Sequence, residues 1–283
     1  MVRIMADSTC DLSKELTDRY NITIIPLHIV LGEKEYRDGL EITPEEIYRW
    51  SDEQKETPKT SAVAVADAIQ AMQPALEEGD DIVIFSISGQ MSTTANVFRI
   101  AAEELEAAER VSVVDSANLS TGIGLLVIRA AIMAGEGRSR EEIVEEMERL
   151  KPRVRASFVV DTLTYLYRGG RCSGVAAMAG GMLKLHPKIV VRDGAMEVGK
   201  KYRGKINSVV MNYAKDMESE IRSAEKDRVF ITHSGSDPEL VEKVQDYLEQ
   251  MHHFDEVLIT RAGGVISSHC GPGTLGVLFI QGE

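Results

Sequence analysis

Residues 81–116 read DIVIFSISGQMSTTANVFRIAAEELEAAERVSVVDS, and this stretch predicts a strand, a helix and a second strand in close succession. Asp81–Ser86 is a short apolar run of the kind that forms a buried strand, and Val111–Val114 is another. Between them, a helix that opens at Ser92 carries one apolar stripe, made of Val97, Ile100, Ala101, Leu105 and Ala108. Two strands joined through a helix are typical of a parallel sheet.

The same alternation of strand-like and helix-like runs extends along the whole chain. The other predicted strands include Val2–Ala6, Ile22–Leu31, Ser157–Val160, Arg228–Thr232, Glu256–Thr260 and Leu275–Ile280. Repeated strand–helix units with short links predict an α/β fold with mostly parallel sheets covered on both faces. The 283 residues suit two α/β domains, and we place the boundary near Lys151-Pro152, which gives residues 1–152 and 153–283. Asp193-Gly194 lies between two strand-like runs and predicts a hairpin in the second domain.

Composition excludes several classes of function. The net charge is −13 at pH 7, which disfavours nucleic-acid binding because such proteins need a basic surface. Cys10, Cys172 and Cys270 are far apart and odd in number, which favours a reducing cytoplasm over a disulfide framework. No apolar stretch approaches about 18 residues, so we expect no membrane-spanning helix. The expected location is therefore the cytoplasm. The sequence does not define an oligomeric state, and a monomer is the expectation.

The familiar nucleotide, metal and hydrolase motifs are missing from the sequence. Gly194-x-x-x-x-Gly199-Lys200 begins like a phosphate loop, but Lys201 stands where Ser or Thr is needed and no helix follows. The 6 histidines show no metal-ligand spacing, and no GxSxG nucleophile motif occurs. We therefore expect this chain to bind no metal and no ATP or other cofactor of its own. A hydrolase or transferase that pairs Ser88 or Ser92 with His269 stays open as an alternative.

Short hydroxyl side chains and glycine collect where predicted strands end or helices begin. These residues are Thr60, Ser61, Ser88, Gly89, Ser92, Thr94 and Ser120. In α/β proteins, ligands bind beyond the carboxyl ends of the strands, close to helix N-termini. Neutral hydroxyl donors suit a head group with one negative charge better than a triphosphate, which would need several lysines or arginines. The alternative is that these side chains only cap helices.

Two further segments combine glycine with a fixed or potential positive charge. Residues 161–174 read DTLTYLYRGGRCSG and contain Gly170 and Arg171, whereas residues 266–276 read ISSHCGPGTLG and contain His269 and Gly271. Tight backbone beside an arginine and a histidine indicates an anion site. The alternatives are that Arg171 pins a loop through backbone carbonyls, that His269 is structural, and that the glycines serve turns with positive φ.

Taken together, these motifs resemble those of the bacterial DegV family, which includes the fatty acid-binding subunits (FakB) of fatty acid kinase. The resemblance rests on ADSTCDL at 6–12, SISGQMS at 86–92, VVDSANLSTGIG at 113–124, DTLTYLYRGGRCSG at 161–174 and SSHCGPGTLG at 267–276. These motifs occur in the expected order over essentially the whole chain. The most specific of them are DTLTYLYRGGRCSG and SSHCGPGTLG.

The resemblance implies two α/β domains with a long-chain fatty acid in a buried tunnel between them. It implies that Thr60 and Ser88 bind the carboxylate, supported by Ser61, Gly89 and His269. It also implies that Arg171, with His269, serves phosphate transfer by a partner. That partner is a FakA-like kinase subunit that carries ATP and magnesium and forms an acyl-phosphate. The leading hypothesis is thus a lipid-carrying, non-catalytic subunit, and a lipid-responsive regulatory sensor is a further alternative.

The chain departs from the family pattern at three positions near these motifs. Val63 stands where a proline usually follows the Thr-Ser pair, and Gly89 replaces the second serine of the Ile-Ser-Ser motif. His186 occupies the middle of a Leu-His-Pro sequence that is usually Ile-Lys-Pro. These changes leave Thr60 and Ser88 in place but put the exact head-group donors and the local charge in question.

Overall fold

The computed structural model describes residues 1–175 and 185–283 of the chain. Its strands are β1 (Val2–Asp7), β2 (Thr23–Ile25), β3 (His28–Leu31), β4 (Lys34–Arg37), β5 (Lys59–Ser61), β6 (Asp81–Ser86), β7 (Val111–Asp115), β8 (Val154–Val159), β9 (Cys172–Ser173), β10 (Leu185–Arg192), β11 (Ala195–Arg203), β12 (Ala224–His233), β13 (Glu256–Arg261) and β14 (Leu275–Gln281). Its helices are α1 (Lys14–Arg19), α2 (Pro44–Gln54), α3 (Val65–Glu77), α4 (Thr94–Glu104), α5 (Thr121–Gly135), α6 (Arg140–Leu150), α7 (Thr164–Gly169), α8 (Ile206–Asp216), α9 (Glu218–Arg222), α10 (Pro238–Glu249) and α11 (Gly264–Cys270).

The first sheet is parallel throughout, as the strand–helix alternation predicts. Its strand order is β2-β1-β6-β7, and all three pairings between neighbours are parallel. Successive side chains of β6 point to opposite faces, so both faces must be covered. Ile82 and Ile84 pack in one apolar cluster with α3 and α4, whereas Val83 and Phe85 pack in another with α5 and α6. This explains why β6 is apolar at consecutive positions rather than alternating.

The apolar stripe predicted for α4 is partly wrong. The helix buries Ala95, Phe98, Ala101 and Ala102, whereas Ile100 is 37% exposed. Phe98 is the largest side chain near the middle of the helix, and its contact with the sheet sets the rotation of the helix about its axis. Ile100 lies two positions further on and is therefore turned toward solvent.

The second large sheet is mixed, so the expectation of mostly parallel sheets does not hold for it. Its strand order is β13-β12-β14-β8-β10-β11-β9. Only β12–β13 and β11–β9 pair in parallel, whereas the four other pairings are antiparallel. The predicted hairpin at Asp193-Gly194 is confirmed, and a two-residue turn can join only antiparallel strands. The last strand, β14, inserts between β8 and β12 in the opposite direction to both.

A third, small antiparallel sheet has the order β4-β3-β5. The run Ile22–Leu31, predicted as one strand, is divided at Pro26-Leu27 into β2 and β3, which belong to different sheets. Proline lacks the N–H group that a continuing ladder would need. This break carries the chain from the first sheet to the small sheet, whose outer strand β5 contains Thr60.

Helix α5 lies between the two large sheets. Nearly all of its side chains are buried, and they share one apolar cluster with Phe158 of β8, Phe230 of β12 and Leu278 of β14. Near its N-terminus, Oγ1 of Thr121 lies 2.6 Å from Oγ1 of Thr232 in β12. The two sheets therefore share one apolar core. The division of the chain into two domains at residue 152 stays a prediction. Within the described residues, no helix is both long and apolar enough to cross a bilayer.

Close packing of α11 against the small sheet generates a stability prediction. A Cβ added at Gly264 would lie 2.5 Å from Cδ1 of Ile29 and 2.8 Å from both Oδ1 of Asp38 and Cδ1 of Ile47. We expect Gly264→Ala to lower the free energy of unfolding by about 1–3 kcal/mol because the added methyl overfills this contact. Urea denaturation followed by circular dichroism measures the change.

The matched control is Gly135→Ala at the end of α5, where an added Cβ meets no atom within 4 Å. We expect this control to be neutral or slightly stabilising, by up to about 1 kcal/mol, because alanine loses less backbone entropy on folding. Equal stability of the two variants would contradict the close approach of α11 to β3.

Candidate functional site

The strand ends and loops of the first sheet, the small sheet and α11 surround a cavity of about 500 Å³, which we call the His269 cavity. Its lining residues are Leu27, Thr60, Ser61, Ala62, Ile87, Gly89, Gln90, Met91, Ser92, Thr93, Leu119, Arg171, Met196, Val265, Ile266, His269 and Cys270. Six residues that the sequence singled out thus meet at one place, although they are spread over more than two hundred positions of the chain. Most of the other lining side chains are apolar.

Thr60 and His269 form the central polar contact of this cavity. Oγ1 of Thr60 lies 2.8 Å from Nε2 of His269. The other ring nitrogen, Nδ1, is buried and has no hydrogen-bond partner among the described residues. Burial, with a smaller contribution from the nearby Arg171 guanidinium, lowers the pKa of His269 to about 4. The imidazole is therefore neutral at pH 7 and offers a hydrogen bond rather than a charge.

Two buried carboxylates position the helix that carries His269. The N–H of Gly263 donates to Oδ1 of Asp11 at 2.8 Å, and the N–H of Gly264 donates to Oδ1 of Asp38 at 2.7 Å. Burial raises the pKa of both carboxyl groups. Negative charge at a helix N-terminus is favourable because the first N–H groups of the helix lack partners. The aspartates therefore hold α11 in place rather than meeting a ligand.

Ser120, predicted as a supporting residue of the site, contacts one of these two aspartates. Its hydroxyl donates to Oδ2 of Asp11, and Ser120 itself is buried with φ of +53°. It does not line the His269 cavity. Ser120 therefore contributes to the site indirectly. It orients the Asp11 carboxylate, which in turn positions α11.

The segment around Arg171 approaches His269 from the other side. A Cβ at Gly169 would collide with Nδ1 of His269, so only glycine allows this approach. Gly170 follows with φ of +66° and ends α7, as the expectation of a positive φ requires. Nη1 of Arg171 donates to the carbonyl of Gly169 at 2.7 Å, and the exposed side chain also lines the cavity. Arg171 therefore pins its own loop and still presents a guanidinium at the cavity mouth.

Gly271 is likewise a backbone residue of the site. It has φ of +77°, and a Cβ there would lie 2.6 Å from Cδ2 of Tyr165 in α7. Gly271 does not line the cavity. It lets the chain leave α11 directly after His269 and Cys270 while α7 packs close by.

Ser88, predicted to bind a carboxylate, is turned away from the His269 cavity. It is buried, its hydroxyl donates to the carbonyl of Gly194 at 2.6 Å, and it is not among the lining residues. The neighbouring Gly89 does line the cavity, but its N–H is directed to the carboxylate of Asp115 at 3.1 and 3.2 Å. The Ser88 hydroxyl therefore connects the loop after β6 to the β10–β11 hairpin.

Together with the neighbouring Thr93, Ser92 contributes a hydroxyl-bearing side chain to the cavity lining. Its Oγ lies 2.9 Å from Oγ1 of Thr94, which is buried at the start of α4 and does not line the cavity. The hydrolase alternative required Ser88 or Ser92 to bond His269. Among the described residues, neither serine does so, and the histidine bonds Thr60 instead.

The remaining departures from the family pattern have structural explanations. His186 is 6% exposed, and its Nδ1 lies 3.0 Å from the carbonyl of Val160, so its ring is satisfied inside the second sheet. Val63 is 3% exposed and packs in the apolar cluster that includes α3 and β6. Neither residue lines the His269 cavity. These two substitutions therefore leave the charge inside the cavity unaltered.

A small second cavity adjoins the first. It shares Leu119, Ile266 and Cys270 with the His269 cavity and has a volume of about 20 Å³. Phe158, Ala262 and Leu278 are among its other walls. Sequence reasoning did not identify these apolar residues, nor Leu27 and Met196 in the larger cavity. Phe158, Met196 and Leu278 lie on three different strands, and Leu27 and Ala262 lie between elements. All are residue types of ordinary core, so no local signal distinguishes them.

Comparison with known proteins places the whole chain in one family. A sequence model of the DegV family, a family described as uncharacterised, matches residues 1–282. A DegV domain-containing protein of Deinococcus radiodurans is 33% identical over 277 residues, which cover 98% of this chain and 97% of that protein.

Solved structures show the same relationship. A DegV family protein from Thermus thermophilus, described for its fatty acid binding, has a TM-score of 0.90 and 33% identity over 99% of both chains. A stearic acid-binding protein from Eubacterium ventriosum has a TM-score of 0.86 and 30% identity over 99% of this chain and 98% of that one. The fold is therefore an α/β fold of the DegV type, and by sequence and structure alike the chain belongs to the DegV family.

Proposed function

We propose that this protein binds a long-chain fatty acid in the His269 cavity, with the carboxylate at the Thr60–His269 contact. The observation that carries the proposal is one cavity whose lining is mostly apolar but includes hydroxyl side chains and the His269 imidazole bonded to Thr60. Its volume, about 500 Å³, lies within the roughly 300–1,000 Å³ usual for ligand sites. The fatty acid binding described for the Thermus and Eubacterium relatives supports the same ligand class.

The acyl chain supplies most of the binding energy. About 14 methylene groups at roughly 0.8 kcal/mol each contribute on the order of 10 kcal/mol before the cost of ordering the chain. The adjoining apolar cavity, bounded by Leu119, Ile266 and Cys270, extends the space for the tail between the sheets. A buried tunnel is formed when the tail separates these side chains.

The head group needs hydrogen bonds because a buried carboxylate without partners is costly. Thr60, Ser61 and Ser92 provide hydroxyl donors in the lining of the His269 cavity, and His269 provides an imidazole. Ser88 reaches the acid only by giving up its bond to Gly194, so we assign it a secondary part. Neutral donors with one guanidinium nearby match a head group of single negative charge.

We further propose that the bound acid is presented to a FakA-like kinase subunit in the bacterial cytoplasm. A carboxylate oxygen attacks the γ-phosphorus of ATP held with magnesium on the partner, ADP leaves, and an acyl-phosphate forms. Arg171 is suited to stabilise the charge on the transferring group because its guanidinium is exposed at the cavity mouth. His269 contacts the carboxylate and is, with Arg171, the part of the reaction site that this chain supplies.

The direct test is mass spectrometry of lipid released from the purified protein under denaturing conditions. We expect one long-chain fatty acid or a narrow mixture at about one molecule per chain, and restored binding when stripped protein is titrated with the same acid. Absence of lipid in the extract together with no binding on titration would rule out the proposal.

Removal of the Thr60 hydroxyl tests the head-group assignment. We expect Thr60→Val to weaken fatty acid binding by about 1–3 kcal/mol, because the carboxylate and Nε2 of His269 lose a partner while the side-chain shape is kept. The matched control is Thr23→Val on the exposed edge strand β2, which should bind normally. Calorimetric titration measures both, and an unchanged affinity for Thr60→Val would contradict the assignment.

Arg171 should separate binding from phosphoryl transfer. We expect Arg171→Ala to leave fatty acid affinity nearly intact but to slow acyl-phosphate formation with the kinase subunit by about 10²-fold or more. Arg99→Ala, on the exposed side of α4, is the control and should behave as wild type. Equal losses of binding and transfer would show that Arg171 holds the acid itself. An unchanged transfer rate would remove Arg171 from the reaction, whereas no acyl-phosphate formation with the wild-type protein would favour a lipid sensor over a kinase subunit.

A further inference from the structure

A second cavity, of about 750 Å³ and larger than the His269 cavity, lies on the second sheet. We call it the basic cavity because Lys151, Arg155, Lys188 and Arg192 line it. It shares no lining residue with the His269 cavity. None of the residues predicted to bind a ligand lines it, and the proposed function does not use it.

A thin wall separates the two cavities. The N–H of Ser88 donates to the carbonyl of Asn118 at 2.9 Å, and its hydroxyl donates to the carbonyl of Gly194. Asn118 and Gly194 line the basic cavity, whereas Gly89 on the other side of Ser88 lines the His269 cavity. The basic cavity is therefore a separate site and does not extend the fatty acid space.

The cations are arranged at the two ends of the basic cavity. Val190 of β10 pairs with Ser157 of β8, and side chains two residues apart on a strand share a face. Arg192 and Arg155 therefore lie at one end, whereas Lys188 lies at the other, about 13 Å away along β10 at 3.3 Å per residue.

Two of these cations have no carboxylate partner among the described residues. Arg155 donates only to the backbone carbonyls of Pro152 and Val154. Lys188 is half-buried, and its ammonium lies 5.7 Å from the centre of the Tyr213 ring, without a carboxylate oxygen within 4.0 Å. Acidic residues outnumber basic ones in this chain, 45 to 32, so two unpaired cations in one cavity are unexpected.

The carboxylates around the cavity cancel this charge only in part, although the charges of Glu220 and Asp216 favour the charged form of Lys188. Glu148 pairs with Lys151 at 2.6 Å, which neutralises both. Arg192 has only a distant partner, Glu197, at 3.6 Å. Glu220 also lines the cavity, and Asp193 belongs to the exposed hairpin turn. Burial lowers the pKa of Lys188 because it disfavours the charged ammonium group, and an anion beside that group would favour its charged form.

We propose that the basic cavity binds an elongated small molecule with an anionic group at each end, most simply a bisphosphorylated metabolite. One phosphate is held by the guanidinium groups of Arg155 and Arg192, whose planar donors match phosphate oxygens. The other is held by the ammonium of Lys188. Val190, between Lys188 and Arg192 on the same face of β10, provides an apolar floor for the part of the molecule between the two phosphates.

The test uses calorimetric titration of the whole protein with fructose 1,6-bisphosphate, fructose 6-phosphate and inorganic phosphate as probes. We expect the bisphosphate to bind at least about tenfold more tightly than either monophosphate, because only the bisphosphate reaches both ends. Lys188→Met should reduce the affinity for the bisphosphate to that for the monophosphate, and Arg155→Gln should weaken both. Circular dichroism establishes that each variant is folded.

Lys201→Met is the matched control, because Lys201 is exposed on β11 of the same hairpin and does not line the basic cavity. It should bind all three probes as wild type does. Failure of the bisphosphate to bind, or binding that neither cavity variant weakens, would overturn the proposal. Preferential binding of a dicarboxylate such as succinate would overturn the assignment to phosphate. Because the two cavities share no lining residue, these titrations can be read whether or not the proposed fatty acid binding holds.

Discussion

Helix α11 depends on two buried carboxylates, and the geometry of the His269 cavity follows from that anchor. Asp11 and Asp38 accept the first N–H groups of the helix, and Gly264 allows the helix to lie against Ile29 and Ile47. The opposite end of α11 places His269 against Gly169, where a side chain would not fit. Residues from the beginning, middle and end of the chain thus fix one imidazole, and all of them except Gly264 are far from it in sequence.

The two cavities differ in the charge that they can accept. The His269 cavity offers hydroxyl groups, a neutral imidazole and one guanidinium at its mouth, so it suits a single negative head group attached to an apolar tail. The basic cavity offers separated cations and a short apolar floor. The loop around Ser88 lies between them and contributes to the wall of each. One α/β scaffold therefore presents two chemically distinct surfaces on either side of the same loop.

The sequence predicted the first sheet and much of the His269 cavity. Buried parallel strands carry near-continuous apolar runs, such as the four apolar residues within Asp81–Ser86, so their pattern is recognisable locally. Thr60, Ser61, Gly89, Ser92, Arg171 and His269 all line the cavity as a group. The mixed second sheet was missed because strand direction depends on which strands become neighbours, which no local pattern states. The direction of the Ser88 hydroxyl toward Gly194 was not predictable, because a hydroxyl at a strand end can face either a cavity or another loop.

By itself, the sequence determined the residue types available for chemistry: neutral hydroxyls, glycines, one arginine and one histidine in recognisable segments, and too few motifs for nucleotide or metal binding. The tertiary structure alone decided which of them meet. His269 bonds Thr60 across 209 positions, and Ser88 bonds Gly194 across 106. The physical reason is that the direction of a side chain at a loop is set by the packing of distant elements, whereas local propensity sets only whether the loop forms.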